Sequence, residues 1–156
     1  MRVASPAKLV TRAMRHSDLE QVAHNEAVAY PHPWSKRIFV DCLKAGYHCR
    51  VVINQQKIVA HGVMSIAVGE CHLLTLCVHP QHQRQGIGSR LFKLLLDQAC
   101  KEDARVCFLD VRQSNTAAIA FYRTLGFVQM GERKNYYPDG EEREHALVMS
   151  CKLPLD

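Results

Sequence analysis

Apolar and polar positions along this chain recur with a period that switches between two and roughly 3.6 residues, and the order of the switches outlines a mixed α/β architecture. Residues 8–14 read as a short strand. Ser17-Asp18-Leu19-Glu20 has Ser-x-x-Glu capping-box spacing and predicts a helix to about Tyr30, broken by Pro31-His32-Pro33-Trp34. Ser35 is placed to cap a second helix ending near Gly46. Strands follow over 47–54, 58–68 and 70–79, the first two joined by a turn at Asn54-Gln55-Gln56-Lys57. From 86 to 103, Ile87, Leu91, Leu94, Leu95 and Ala99 form one helical stripe, with Arg90, Lys93, Asp97 and Lys101 elsewhere. Residues 105–111 are apolar too continuously for one face to meet water, which predicts an interior strand. Ser114 or Asn115 caps a helix over 117–125 that Gly126 ends, and 127–137 with 144–153 form a hairpin around Pro138-Asp139-Gly140-Glu141. The resulting string is βααβββαβαββ. It predicts an α/β fold of the α+β type, with a mixed central sheet of about seven strands and helices on both faces.

Length narrows this picture: 156 residues, 47% of them hydrophobic, suffice for one substantial core, so a single domain over 1–156 is expected. No stretch reaches the roughly 20 apolar residues of a membrane span, and Met1-Arg2-Val3-Ala4-Ser5-Pro6 lacks the apolar core of a signal peptide. A cytoplasmic protein is expected. Seven cysteines form no Cys-x-x-Cys pair and sit mostly in apolar runs, which fits reduced thiols. Of nine histidines only His79 and His82 are close together, in a proline-containing loop without a cysteine or carboxylate, so no metal is expected. The net charge of +5 is scattered rather than concentrated in a tract, which argues against direct nucleic-acid binding.

The chemistry concentrates in 78–91. A strand ending at Val78 and a helix opening near Gly86 enclose Gln83-Arg84-Gln85-Gly86-Ile87-Gly88-Ser89. Gly86 and Gly88 remove side chains that would block a close approach. The first helical turn offers unpaired backbone N–H groups and a dipole that favours negative charge. Arg84, Arg90 and Lys93 supply countercharge, so the turn suits a diphosphate.

Gln83 to Gly88 resembles the pyrophosphate-binding motif of the GNAT superfamily of acetyl-CoA-dependent N-acetyltransferases. Leu109-Asp110-Val111-Arg112-Gln113-Ser114-Asn115 and Ala118-Ile119-Ala120-Phe121-Tyr122-Arg123-Thr124-Leu125-Gly126-Phe127 resemble the second half of that fold. His32-Pro33-Trp34-Ser35, Leu109 to Arg112, and Arg133-Lys134-Asn135-Tyr136-Tyr137-Pro138 are similar to the branch that acetylates the N-terminal alanine of a small-subunit ribosomal protein. The resemblance implies acetyl-CoA as co-substrate, held by Leu76, Cys77, Val78, Arg84, Gln85, Gly86, Ile87, Gly88, Ser89 and Asn115, and a basic ribosomal-protein N-terminus as acceptor. It implies direct transfer in a ternary complex. Asp110 would be the base and Tyr122 the acid that protonates the leaving thiolate, with the backbone around Leu76 to Val78 stabilising the oxyanion. Lysine side chains or small-molecule amines are the alternative acceptors, and a non-catalytic acyl-CoA sensor is the alternative class. A monomer or weak dimer without membrane attachment is expected.

One position departs from the family, which has glutamate where Asp110 stands. The shorter side chain withdraws the carboxylate by roughly 1.5 Å. An α-amine tolerates this better than a lysine, since neutralising it at pH 7 costs about 1 kcal/mol against about 4 to 5 kcal/mol. Taken from the residues alone, Tyr122 beside Phe121 reads rather as a core aromatic, Asn115 as an N-cap and Cys77 as a buried structural thiol. Trp34, Tyr136 and Tyr137 are candidate walls of a peptide groove. Glu141, Glu142 and Glu144 read as a solvated turn.

Overall fold

A computed structural model describes residues 8–155, so Met1 to Pro6 lie outside the described residues. Seven strands hydrogen-bond in the order β1-β2-β3-β4-β5-β7-β6. They are β1 (Val10–Ala13), β2 (His48–Asn54), β3 (Lys57–Ala67), β4 (Glu70–Val78), β5 (Val106–Arg112), β6 (Val128–Asp139) and β7 (Glu142–Lys152). The helices are α1 (Leu19–Ala29), α2 (Lys36–Lys44), α3 (Ile87–Lys101) and α4 (Thr116–Thr124). All eleven elements stand where the hydrophobic pattern predicts them, displaced by at most two residues, apart from the opening of α1. The chain divides into two compact units, Met1–Met64 with Thr75–Leu95, and Ser65–Leu74 with Leu96–Asp156.

In the first unit β1, β2 and β3 form an antiparallel meander. Leu19, Val22, Phe39, Cys49, Val51 and Val63 join one apolar cluster, which also takes the flank of Trp34. The turn between β2 and β3 puts Gln55 and Gln56 at φ of 50 and 68°, the doubly left-handed geometry whose twist matches a tight hairpin. The opening of α1 corrects the capping-box expectation. A 3-10 turn, His16–Asp18, comes first, and Asp18 rather than Ser17 satisfies the chain end. Its carboxylate accepts from the Arg15 backbone N–H at 2.7 Å and from both Arg12 guanidinium nitrogens at 2.7 and 2.9 Å. The bidentate arginine outbids the weaker Ser17–Glu20 arrangement. On α3 the stripe is also rotated from the expected one: Leu94 is 42% exposed, whereas Phe92 and Leu96 are buried with Ile87, Leu91, Leu95 and Ala99. At about 100° per residue Leu94 falls outside the arc shared by the other six.

In the second unit Glu70 to Leu73 of β4 pair in parallel with β5, and β5 pairs antiparallel with β7, which confirms β5 as an interior strand. Its burial alternates, with Cys107, Leu109 and Val111 buried and the intervening residues half-buried, so both faces are covered to different depths. β6 pairs only with β7 and is exposed along most of its length. Between Arg133 and Tyr137 it carries a bulge, since Arg133 lies opposite Ala146 and Tyr137 opposite Glu144. Asn135, at φ of 53°, absorbs the bend.

Candidate active site

In the first unit β4 is sandwiched between two helices, and its alternation decides what each residue does. Thr75 and Cys77 face α1: the Thr75 hydroxyl donates to Glu26 Oε1 at 3.1 Å, and Cys77 Sγ reaches the Asn25 carbonyl at 3.8 Å. Leu76 and Val78 face α3. A Cβ on Gly62 would meet the side chains of Leu76, Leu91 and Leu95, and one on Gly88 would meet Val78 at 3.3 Å. The glycine at 88 therefore lets α3 approach β4, a packing reason beside the ligand reason expected from sequence. Gly86 differs. It is left-handed at φ of 79° with nothing within 4 Å of a Cβ position, so its backbone stands open at the start of α3. Arg84 is also left-handed, at φ of 63°, and the two residues bend the loop over 83–86 ahead of the helix.

The β4 carbonyls are tied as well. The Tyr30 hydroxyl donates to the Leu76 carbonyl, and Gln83 Nε2 donates to the Val78 carbonyl at 3.1 Å. Tyr30, absent from the sequence-derived set, closes the end of α1 onto the strand expected to line a thioester. Cys77 is an unreactive thiol: burial first, and the nearby Glu26 second, push it well above the ordinary range. Burial likewise pushes Cys49 up to about 12. All seven cysteines are free. Glu26, His61 and Cys77 offer three ligand atoms within 4.8 Å of one another, but each is engaged in a hydrogen bond and the thiol keeps its proton.

The second unit gathers Asp110, Tyr122 and Tyr137. Asp110 on β5 lies opposite Val148 of β7, and its Oδ1 accepts from Arg133 Nε at 3.2 Å. Arg133, on β6, reads in sequence only as part of the last hairpin; in the structure it is the countercharge of the candidate base. Tyr137 carries the Arg112 guanidinium 4.5 Å from its ring centre and meets Tyr136 edge-on at 4.9 Å. Burial, then the Asp110 charge, raises the Tyr137 phenol. The bulge that delivers both tyrosines is held by Arg143, which donates to the carbonyls of Asn135 and Tyr136 at 2.7 and 2.8 Å.

Tyr122 sits on α4 between Phe121 and Phe127, at ring separations of 5.4 and 6.0 Å. Burial first, and Cys107 second, push its phenol far above the ordinary range, so it stays a hydrogen-bond donor at any working pH. Asn115 caps α4, its Oδ1 accepting from the Ala118 N–H at 3.2 Å. Glu144, expected to be merely solvated, accepts from the Ser114 N–H at 2.7 Å and from Arg112 at 3.2 Å. Ser114 above all, together with Arg112, holds its carboxyl below the usual range. It thereby fixes the turn from which α4, and Tyr122 on it, departs.

This order of elements, with a left-handed glycine loop ahead of α3 and a half-buried tyrosine on α4, defines an acyl-CoA acetyltransferase scaffold. Residues 13–127 match the model of the acetyltransferase (GNAT) family, and the chain belongs to that family. It is similar to the [ribosomal protein bS18]-alanine N-acetyltransferase of Escherichia coli, at 33% identity over 92% of this chain and 97% of the relative. The enzyme of the same name from Haemophilus ducreyi is 35% identical over 87% of this chain and 94% of its own. The crystal structure of the E. coli ribosomal-protein-S18-alanine N-acetyltransferase superposes with a TM-score of 0.86 at 32% identity, covering 93% and 94% of the two chains. Arabidopsis thaliana Naa50, solved with the bisubstrate analogue CoA-Ac-MVNAL, superposes at 0.80 with 25% identity over 92% and 97%.

Proposed function

We propose that this chain acts as one catalytic domain that transfers the acetyl group of acetyl-CoA to the N-terminal alanine of a basic small-subunit ribosomal protein. The observation that carries the reading is its similarity over nearly the full length to bS18-alanine N-acetyltransferases of comparable size. The residues of both units fit the chemistry. The open backbone at Gly86 and the first N–H groups of α3, beside Arg84, Gln85, Ile87, Gly88 and Ser89, suit the diphosphate of the co-substrate. Leu76, Cys77 and Val78 supply the strand backbone for the thioester, and Asn115 a further contact.

In the transfer, the acceptor nitrogen attacks the thioester carbonyl carbon, the C–S bond breaks, and the nitrogen loses one proton while the thiolate gains one. Tyr122, held protonated by burial, donates to the departing sulfur as negative charge develops there. Asp110 receives the amine proton, directly or through water. An α-amine near pKa 8 demands little of it, which suits a carboxylate that is short and already paired with Arg133. Trp34 of the first unit, and Tyr136 and Tyr137 of the second, each offer an aromatic face to an acceptor peptide. Transfer is direct, because the Cys77 thiol that a covalent route would need is turned to α1 and held protonated. The free thiols fit a cytoplasmic enzyme, acting as a monomer or weak dimer.

Mass spectrometry of an alanine-starting peptide with an internal lysine, beside its N-terminally blocked twin, tests the acceptor. Acetylation of the free peptide at its first residue alone is expected. Acetylation of both at lysine would assign the chain to side-chain amines, and CoA binding without transfer to either would make it a sensor. Intersecting initial-rate lines, with no acetyl group on any cysteine, are expected for direct transfer; parallel lines would overturn it.

A further inference from the structure

Glu26 is a buried carboxylate on the apolar side of α1, and the chemistry assigned above gives it no task. Its Oε1 accepts from His61 Nε2 at 2.9 Å and from the Thr75 hydroxyl at 3.1 Å, and its Oε2 accepts from the Trp34 backbone N–H at 3.3 Å. Residue 26 is 2% exposed and His61 fully buried. These three donors come from three separate segments: the loop 30–35, β3 and β4. The aromatic contacts close the ring, for the Trp34 indole packs on Phe39 at 5.3 Å and Phe39 meets His61 edge-on at 5.4 Å and 86°. One residue beyond Thr75, the Leu76 carbonyl is held by Tyr30, from the start of the same loop.

A carboxylate taken out of water survives only with its donors in place, and donors left without it incur the same loss. The loop and β4 consequently hold one position relative to each other or lose several charge-assisted bonds together. We propose that Glu26 is a positioning residue that clamps the loop carrying Trp34 onto β4, so that the acceptor amine is presented to the strand that lines the thioester. The clamp rests on the acetyltransferase reading for what the loop and strand hold. Its mechanical part, the fastening of Trp34, stands on this geometry alone. The residue types fit that task. Glutamine can make all three contacts, accepting from Trp34 and donating to Thr75 Oγ1 and to the other tautomer of His61, whereas alanine can make none.

Two readouts test this on the full chain. Trp34 is the only tryptophan, so its fluorescence reports the loop without any substrate. Glu26→Ala is expected to raise acrylamide quenching of Trp34 about twofold or more, with Glu26→Gln unchanged, as expected when it is the hydrogen-bonding contacts and not the charge that tie the loop down. In kinetics Glu26→Ala is expected to raise the acceptor KM about tenfold while the acetyl-CoA KM and kcat stay within about threefold, with Glu26→Gln restoring the acceptor KM. A purely structural role would lower the active fraction, and so kcat, and leave KM alone. Where Glu26→Ala does not fold, Thr75→Val removes one donor and is expected to raise the acceptor KM about threefold. Unchanged quenching, an unchanged acceptor KM, or equal rises in both KM values would overturn the clamp. A wild-type enzyme inert toward the alanine peptide would overturn the acceptor reading alone, and the quenching result would still decide the clamp.

Discussion

Two polar networks in this molecule are each centred on a carboxylate and put it to opposite ends. Around Glu26 in the first unit, one carboxylate is sealed from water and shared by an imidazole, a hydroxyl and a backbone N–H. Around Asp110 in the second, the carboxylate is 29% exposed and its partner Arg133 is 54% exposed. A sealed charge makes each contact indispensable, whereas an ion pair open to water contributes little to stability and can be rearranged. Fixed geometry belongs to the first kind of network. Proton traffic needs the second, where a carboxylate can exchange one partner for another as an amine arrives.

The sharpest test of this division is at Tyr122, which has the packing of a core residue and the assignment of a reacting one. Tyr122→Phe preserves the ring contacts with Phe121 and Phe127, so the melting temperature should hardly change while kcat falls by about 10² to 10³. An unchanged rate would return Tyr122 to packing and leave the leaving thiolate to water. Next in size is the exchange between the carboxylates. Glu26→Ala should lower unfolding free energy by about 3 kcal/mol, because three donors lose their acceptor. Asp110→Ala should change it by less than about 1 kcal/mol. For kcat the order reverses: Asp110→Ala should lower it about tenfold at pH 7, and less at higher pH where the α-amine is already neutral, while Glu26→Ala leaves it within about threefold. Denaturant melts and pH–rate profiles on the two variants check both halves. Equal stability losses would erase the distinction drawn here.

The two networks also differ in how far they could be foreseen. The glycine loop and the Asn115 cap are local features, carried by consecutive residues, and residue order located them, whereas Tyr122 stands out from a core aromatic only through the family resemblance. Glu26 depends on residues 34, 61 and 75, which no window of sequence contains. A signal was nevertheless present, for Asn25 and Glu26 fall on the helical face of Leu19 and Val22, where apolar residues belong, and both prove buried. Arg133 was in view, but its meeting with Asp110 depends on the register of β6 against β7 and on the bulge beyond it, neither written in the hairpin's own pattern. The capping-box expectation failed for a related reason: the acid that closes α1 answers to an arginine on β1, outside the box.

Asp18 extends the comparison to a carboxylate of intermediate character, the smallest effect expected. Its hydrogen bonds with Arg12 first, helped by the Arg15 N–H, outweigh desolvation and hold its carboxyl below the usual range. A carboxyl whose folded value is depressed contributes stability that is fully present above its unfolded value near 3.9 and lost as pH falls through the folded value. Asp18→Asn keeps an acceptor in place but gives up the charge, so it should cost about 1 kcal/mol at pH 7 and progressively less below pH 4, the two melting curves converging in acid. A gap that stayed constant from pH 7 to pH 2 would show that shape rather than charge fixes Asp18. It would then stand with the sealed network around Glu26, whose glutamine variant is also expected to be tolerated, and not with the ion pair at Asp110.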